Sequence, residues 1–386
     1  MRFLHTADWH VGKAIRGRSR AEEFAAVLDE VVRVAVDERV DALLLAGDVY
    51  EHRSAAPEAD ALVFDTLLRL HDADIRVVAV PGNHDSAHRL EAFGPLLRTV
   101  GVEVATRVAP PERGGIVVVP SRDGLEEAGV ACVPFVPERR FGDAAELFEA
   151  SERWYLSYAE GMGELLHAMA RAFRPDRVNL VLAHLFTDGA LLGGGEREIT
   201  IGMAYAISPS RLPGDAAYVA LGHVHRPQAV KGAPSPARFA GSLLQLDFGE
   251  TEQRKSVSIV EASPGRPARV HEVLLSAGRR LLDVRGTVDE VLAAAERHTE
   301  AYLRVFVQTD GPVPGIADRI RDDLPNAIDV QLVYERSAAA PEGEPVSSLD
   351  PRDQFVSYYR AEHGVEPTAE LLEAFDEVRE LDAEGV

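Results

Sequence analysis

The chain has 386 residues, of which 46% are hydrophobic and only one is cysteine. This length fits two or three domains, and the apolar fraction excludes a chain that is disordered throughout. The single cysteine, Cys132, excludes an intramolecular disulfide and a zinc site built from several thiolates.

The formal net charge of −22 is distributed unevenly. Residues 337–386 contain thirteen acidic and only three basic residues, so −10 of the charge lies in this C-terminal tail. The acidity weakens a nucleic-acid-binding interpretation without excluding it. No apolar run is long enough to span a membrane, and polar motifs begin within the first ten residues. We therefore expect a cytoplasmic protein.

Short apolar runs alternate with amphipathic helical patterns over the first 260 residues, which is typical of an α/β fold. The predicted strands are residues 2–7, 42–46, 77–80, 179–183 and 218–221. Helices are predicted at residues 21–38 and from Pro57 onward, because Pro favours the first turn of a helix. Two later strand-like runs, 238–243 and 256–261, predict a second sheet that packs on the first.

A turn-rich break at residues 262–269 precedes a smaller unit. Residues 280–335 predict a βαβαβ order, with strands at 281–285, 302–308 and 328–334 and helices at 288–298 and 316–324. The composition of residues 337–348 predicts a linker, and two short amphipathic helices follow it. We therefore predict a large α/β domain at 1–270, a cap domain at 278–336, the linker at 337–348 and a helical tail at 349–386.

Five polar clusters each follow one of the predicted strands. They are Asp8-x-His10, Gly47-Asp48, Gly82-Asn83-His84-Asp85, His184 and Gly222-His223-Val224-His225. Loops beyond the carboxyl ends of strands gather along one edge of an open α/β sheet, so we expect these clusters to converge there. Each cluster alone could be a turn, a helix cap or a buried histidine, but five at strand ends favour a metal site. Carboxylate, amide and imidazole ligands suit manganese, iron or zinc.

The order D-x-H, G-D, G-N-H-[DE], H and G-H-x-H resembles the signature of the calcineurin-like metallophosphoesterase superfamily. This resemblance implies a two-sheet sandwich flanked by helices and a site for two divalent ions. By motif position, one ion would be held by Asp8, His10, Asp48 and His225. The second ion would be held by Asp48, Asn83, His184 and His223, so that Asp48 bridges the two. In the superfamily pattern His84 is not a ligand but would stabilise or protonate the leaving oxygen.

Longer segments resemble the SbcD family of nuclease subunits within that superfamily. They are HTADWHVGK, AGDVY, VPGNHDS, YVALGHVHRPQ, AGSLLQLDFGE and KSVSIVE, and the detailed likeness runs to about residue 261. It implies a manganese-dependent DNA nuclease of repair, recombination and replication, with double-strand exonuclease and single-strand or hairpin endonuclease activity. It also implies a homodimer, a nucleoid-associated location and an SbcC-like ATPase partner. The chain has no G-x-x-x-x-G-K-[ST] loop, so any ATP dependence would come from that partner.

Two further sets of residues are candidates for macromolecular contacts. The loop after the first motif carries Lys13, Arg16, Arg18 and Arg20 with no acid between them, which fits either a phosphate-backbone contact or a solvated loop. The tail places apolar side chains at helical spacing, namely Phe355, Tyr358, Tyr359, Leu371, Leu372 and Phe375. Helices this short are marginal alone, so we expect their apolar faces to bind the partner, with packing on the cap as the alternative.

Two other functions remain open from the sequence. The same core could serve a small-molecule metallophosphatase or a cyclic-nucleotide phosphodiesterase, although neither would explain the cap and the tail. The third possibility is a non-catalytic scaffold on a phosphoesterase fold. The complete set of ligand residues argues against the scaffold, because such a protein can lose ligands freely.

Overall fold

The structure, a computed structural model, describes residues 1–148, 157–196, 206–311, 313, 315–334, 350–363, 366–369, 371–372 and 374–376. The chain forms two compact units, Met1–Val333 and Tyr334–Val386. Across the described residues, no helix combines the length and the apolarity that a membrane span requires.

The elements of the larger unit follow one another in a mixed α/β order. They are β1 (Arg2–Thr6), α1 (Ala21–Asp37), β2 (Ala42–Ala46), α2 (Pro57–Asp72), β3 (Arg76–Val80), α3 (Ala87–Thr99), β4 (Val102–Val104), β5 (Ile116–Pro120), β6 (Glu127–Val133), α4 (Phe141–Leu147), α5 (Tyr158–Ala170), β7 (Val178–His184), β8 (Phe186–Thr187), β9 (Ala206–Ile207), β10 (Tyr218–Gly222), β11 (Gln228–Ala229), β12 (Ala237–Phe239), β13 (Ser256–Glu261) and β14 (Arg269–Leu274). A smaller group follows, comprising β15 (Leu281–Gly286), α6 (Val288–Glu296), β16 (Tyr302–Gln308), α7 (Ile316–Asp323) and β17 (Ala327–Val333).

Two six-stranded sheets pack face to face and form the body of this unit. The first sheet has the order β14-β13-β1-β2-β3-β4, and the second has the order β11-β12-β10-β7-β6-β5. Apolar side chains from both sheets, such as Leu44 and Val78 from the first and Leu180 and Ala220 from the second, form one buried cluster between them. The predicted α/β sandwich is therefore confirmed.

Helices cover the outer faces of the sandwich because their apolar residues recur on one side. Phe24, Val27 and Val31 of α1 are buried together with Leu43 and Leu45 of β2. β2 is buried along its whole length, which is why it is apolar on both faces. Burying one side chain of this size contributes about 1.5–3 kcal/mol, so this helix–sheet contact accounts for much of the stability of the first layer.

Three features of the sheets differ from the prediction. β13 pairs antiparallel with β1 in the first sheet, although it was expected in a second one. The predicted run 238–243 forms only the short β12, and β5, β6 and β14 were not anticipated. The strands that carry the motifs are also divided, with β1, β2 and β3 in the first sheet and β7 and β10 in the second. Apolar runs identify strands, but they do not specify which strands pair.

β15, β16 and β17 form a separate parallel sheet, and α6 and α7 connect its strands. Its own core contains Leu303, Val305 and Ile320. The predicted βαβαβ order is confirmed, and each element lies within two residues of its expected bounds. The position of the domain boundaries stays a prediction.

The smaller unit contains helix α8 (Pro351–His363) and a short helical stretch after it. The Phe355 ring stacks on the Phe375 ring with centroids 4.4 Å apart, and Arg352 lies 3.4 Å from Asp376. The two helical segments of the tail therefore pack on each other, an arrangement that the sequence reasoning did not consider. The predicted linker, 337–348, lies outside the described residues.

Candidate metal centre

The five polar clusters meet where the two sheets face each other. Three overlapping groups have ligand atoms that all lie within 4.8 Å of one another, and every member is buried. The first ligand group is Asp8, His10 and His225, and the second is Asp48, His184 and His223. A third group, His10, Asp48 and His84, overlaps both. The expected convergence is confirmed, but the expectation of a single sheet edge was wrong. The clusters come from strand ends of two facing sheets.

The backbone turns sharply where it presents these side chains. Asp8, His10 and Asp48 have φ values of 50°, 49° and 52°, and His223 has a φ of 100°. Such left-handed conformations are unfavourable for residues other than glycine and are found mostly at functional sites. Hydrogen bonds hold the turns, including one of 2.9 Å from the His223 N–H to Asp8 Oδ1. The loops therefore hold the polar side chains in a fixed geometry.

In the first ligand group, two imidazole nitrogens point at each other. His10 Nε2 lies 3.1 Å from His225 Nε2. Each ring has a carboxylate at its other nitrogen, with His10 Nδ1 2.8 Å from Glu51 Oε2 and His225 Nδ1 3.1 Å from Glu250 Oε1. An ionised carboxylate only accepts, so each Nδ1 carries a hydrogen and each Nε2 is turned inward, where its lone pair can bind a cation when the ring is neutral. Two facing lone pairs fit a cation bound between them.

The second ligand group also turns imidazole nitrogens inward, but a backbone carbonyl rather than a carboxylate accepts the hydrogen bond from His184. His184 Nδ1 donates to the backbone carbonyl of Ala46 at 2.7 Å, which leaves its Nε2 lone pair directed into the site. That nitrogen lies 3.0 Å from Asn83 Oδ1 and 3.2 Å from His223 Nδ1. An amide oxygen and two imidazole nitrogens are borderline-hard donors, which suit a divalent transition metal.

Asp48 lies between the two groups. Its Oδ2 is 3.7 Å from His10 Nε2 and 3.5 Å from His184 Nε2. Its Oδ1 accepts a hydrogen bond of 2.8 Å from the His84 N–H. A single carboxylate oxygen thus faces both ligand groups, which is the position that a bridging ligand requires.

His84 is buried at the edge of the same cluster. Its Nδ1 lies 2.8 Å from the backbone carbonyl of Glu51, so Nδ1 carries the hydrogen. Its ring meets the His10 ring edge to face, with centroids 4.7 Å apart. The structure places His84 beside Asp48 and His10 in the same cluster.

The burial of the site changes the acidity of its groups in opposing directions. Burial raises the pKa of the Asp8 carboxyl well above its ordinary range, and it lowers the pKa of His184 to about 3. Burial also lowers the pKa of His10 well below its ordinary value. For His225, burial favours the neutral ring, but Glu250 and Asp8 outweigh it and raise the pKa. A buried carboxylate beside the neutral rings of His10 and His184 needs a compensating positive charge to stay ionised, which a divalent cation supplies.

Sequence reasoning missed three carboxylates that support the ligands. Glu51 and Glu250 hold the rings of the first group, as described above. Asp85 accepts backbone N–H groups from Gly82 at 2.9 Å and from Tyr50 at 3.0 Å. It therefore ties the loop after β3 to the loop after β2. Asp85 lies inside a motif and could have been proposed, whereas nothing in the sequence connects Glu250 with His225.

The predicted DNA-contact residues lie in different surroundings. Lys13 and Arg16 each form an ion pair of 2.9 Å with an acidic side chain of this chain. Arg18 is exposed. Arg20 is only 3% exposed, and it donates to a buried backbone carbonyl and pairs with an acid three residues later. Burial leaves Arg20 no surface for DNA, so the prediction for this residue is not supported.

Comparison with known proteins agrees with this fold and site. Residues 1–227 match the family described as Calcineurin-like phosphoesterase. Residues 278–363 match the family described as Type 5 capsule protein repressor C-terminal domain. The first match spans more than half of the chain, including both ligand groups. Fold and site therefore define a calcineurin-like phosphoesterase.

The chain is also similar to full-length bacterial proteins. It is 34% identical to the SbcD subunit of the nuclease SbcCD from Bacillus subtilis strain 168, over 98% of this chain and 97% of the relative. The protein of the same name from Rhodobacter capsulatus is 32% identical, with 90% and 91% covered. That from Escherichia coli K12 is 28% identical, with 92% of each covered. The chain belongs to the SbcD family of calcineurin-like phosphoesterases.

Proposed function

We propose that this chain is a metal-dependent DNA nuclease that hydrolyses phosphodiester bonds at the site between its two sheets. The observation that carries the proposal is the pair of ligand groups joined by the Asp48 carboxylate, with the ring nitrogens of His10, His184 and His225 turned inward. The relatives named as nuclease subunits support a polynucleotide substrate. A small-molecule phosphatase would have no evident use for the added three-stranded sheet and tail.

The proposed ligand roles follow the superfamily pattern, and the distances within the ligand groups support them. Asp8, His10, Asp48 and His225 would hold one divalent ion. Asp48, Asn83, His184 and His223 would hold the other. Two such ions lower the pKa of a water molecule and neutralise charge on the reacting phosphoryl group. We propose manganese as the physiological ion because the likeness to the SbcD nucleases implies it, whereas the donor set alone suits manganese, iron or zinc.

His84 would act on the leaving oxygen. Its Nδ1 donates to the Glu51 carbonyl, so Nε2 is the nitrogen that can exchange a proton with a substrate. Hydrogen bonding of one ring nitrogen to the backbone fixes the direction of the other, which is what a general acid requires. His84 would therefore stabilise or protonate the departing oxygen, and it is the superfamily pattern that assigns it no ion.

The wider setting rests on the likeness to the SbcD subunits of SbcCD nucleases. We propose an SbcC-like ATPase as partner, a homodimer and action at the nucleoid in DNA repair, recombination and replication. The proposed activities are double-strand exonuclease and single-strand or hairpin endonuclease. The six tail residues Phe355, Tyr358, Tyr359, Leu371, Leu372 and Phe375 would contact the ATPase. Lys13, Arg16 and Arg18 would contact DNA, with Arg18 the first to test because it is exposed.

The test is hydrolysis by the purified protein. With added MnCl₂ it should degrade DNA and cleave bis-(p-nitrophenyl) phosphate faster than the mono-ester, and a chelator should stop both reactions. Undiminished cleavage after exhaustive chelation would contradict metal dependence. A preference for the mono-ester, without DNA cleavage, would instead indicate a phosphatase.

A further inference from the structure

A buried ion pair lies directly behind His225. Glu250 is 0% exposed, and its Oε1 lies 3.1 Å from His225 Nδ1. Its second oxygen, Oε2, lies 2.7 Å from the Nζ of Lys255. These two residues belong to the segments LQLDFGE and KSVSIVE, which contribute nothing to the proposed ligand set. Their position links both segments to the metal centre.

The pair is held in one orientation by further hydrogen bonds. Lys255 Nζ donates to the backbone carbonyl of His225 at 2.9 Å and to Ser242 Oγ at 2.8 Å. Glu250 Oε2 also accepts the N–H of Leu246 at 2.9 Å. A buried ion pair is costly unless its remaining donors and acceptors are satisfied, and here they are. Glu250 therefore presents Oε1 to His225 with little freedom to turn away.

The two ligand groups differ in what supports their histidines. Carboxylates support both rings of the first group, Glu51 behind His10 and Glu250 behind His225. In the second group His184 instead donates to a neutral carbonyl, that of Ala46. A carboxylate makes the imidazole a stronger electron donor than a neutral carbonyl does, and it fixes the ring and its tautomer. The carboxylate behind His225 should therefore strengthen the metal position to which His225 belongs.

We infer that Glu250 is a positioning residue for His225, that Lys255 holds it in place, and that the pair selectively strengthens the Asp8–His10–His225 position. The inference rests on the proposed two-metal function. Among the described residues, the contacts of the Glu250 carboxylate include His225 and Lys255 but no member of the second ligand group. Loss of Glu250 should therefore weaken one metal position and leave the other unchanged.

The test is calorimetric titration with MnCl₂ of the full chain and three variants. In Glu250→Gln the amide keeps the shape of the side chain but loses the charge that polarises His225. Metal affinity at one of the two positions should fall about 10–100-fold, the usual effect of removing such a partner. Glu252→Gln is the control, because it makes the same change at an exposed residue two positions away, and it should titrate like the wild type.

Removing one partner of a buried pair leaves an unpaired charge, which can destabilise the whole fold. The double variant Glu250→Gln with Lys255→Met removes both charges. If the single variant does not fold, metal affinity is measured on the double variant. It should show the same selective loss of affinity. Substrate KM should stay unchanged, and kcat should recover at saturating MnCl₂, which a general structural defect would not allow.

The outcomes separate this inference from the proposed function. A wild-type chain that does not bind two Mn²⁺ ions would refute the proposed function itself. If the wild type binds two ions and the variants bind both with equal or equally weakened affinity, the pair is only structural and this inference is wrong. Selective weakening of one position supports it.

Discussion

Asp48 is the residue on which both ligand groups depend. Its Oδ2 lies within 3.7 Å of a histidine nitrogen of each group, and its Oδ1 holds the backbone of His84. Removing this carboxylate takes a ligand from both proposed positions and releases the adjacent loop. No other residue of the set faces both groups in this way among the contacts described above.

We predict that Asp48→Ala removes hydrolysis and at least one bound ion. The physical reason is the loss of the bridging carboxylate, which both proposed positions share. Elemental analysis of the purified variant, alongside the wild type, measures the ion content. Two ions retained in Asp48→Ala would contradict the bridging assignment, whatever the activity.

His84 gives the complementary prediction, because it is expected to act on the substrate rather than hold an ion. His84→Ala should keep two ions while turnover falls about 10²–10⁴-fold, the usual contribution of a general acid or base. Ion content and kcat are measured on the same preparation. Near-normal turnover would show that His84 takes no part in the reaction, and loss of an ion would show that it is a ligand.

Among individual residues, the motifs identified the side chains that converge in the site, but not the residues that support them. Asp8, His10 and Asp48 follow strands in recognisable patterns, and those patterns come from the geometry of strand ends. Glu250 lies 25 residues beyond His225, and the contact exists only because the chain returns to the site. Such long-range support depends on tertiary packing, which periodicity and spacing do not reveal.

Among the elements, the loop after β2 and the loop after β3 are joined by hydrogen bonds and close packing. Asp85 accepts N–H groups from both loops, and Gly82 lies against Asp48 so closely that a Cβ there would be 2.2 Å from Asp48 Oδ1. At that distance the added atom and the carboxylate oxygen overlap, so one of them must move. Glycine at position 82 is therefore needed for the bridging carboxylate to keep its place.

We predict that Gly82→Ala lowers both metal content and turnover, because the methyl group displaces the Asp48 carboxylate. Gly142→Ala is the matched control: an added Cβ at Gly142 has no neighbour within 4 Å, and the residue lies in helix α4. Alanine in a helix is favoured over glycine by about 0.5–1 kcal/mol, so this control should be neutral or slightly more stable. Thermal unfolding, ion content and kcat are compared for both variants. A Gly82→Ala protein with two ions and full activity would show that the loops can adjust.

The positions of the strands that carry the motifs followed from apolar runs, whereas the partners of β13 and the assignment of β7 and β10 to the second sheet did not. β14 was missed because most of its residues are exposed and its sequence has no apolar face. The βαβαβ order of the cap was predictable because each of its elements depends on local periodicity and a short connection. Pairing between strands far apart in sequence has no such local signal.

For the whole molecule, experiments can test whether hydrolysis belongs to one compact unit and partner binding to the other. Every proposed metal ligand lies in Met1–Val333, and much of the negative charge lies in the tail, at −10 for residues 337–386. An acidic segment is a poor ligand for DNA and a plausible match for a basic protein surface. Within the tail, Phe355 and Phe375 stack on each other, whereas the Tyr358 side chain is 62% exposed.

We predict that deleting residues 349–386 abolishes association with the SbcC-like ATPase and ATP-stimulated cleavage of duplex ends. Manganese-dependent cleavage of single strands and of small phosphodiesters should persist, because the ligand residues remain. Tyr358→Ala should weaken association without unfolding the tail, since the exposed ring supports no internal packing that the structure describes. Phe355→Ala should lower helix content as well, because it removes the stack on Phe375. Co-elution of the truncated chain with the ATPase, or loss of its basal hydrolysis, would show that the tail belongs to the catalytic fold instead.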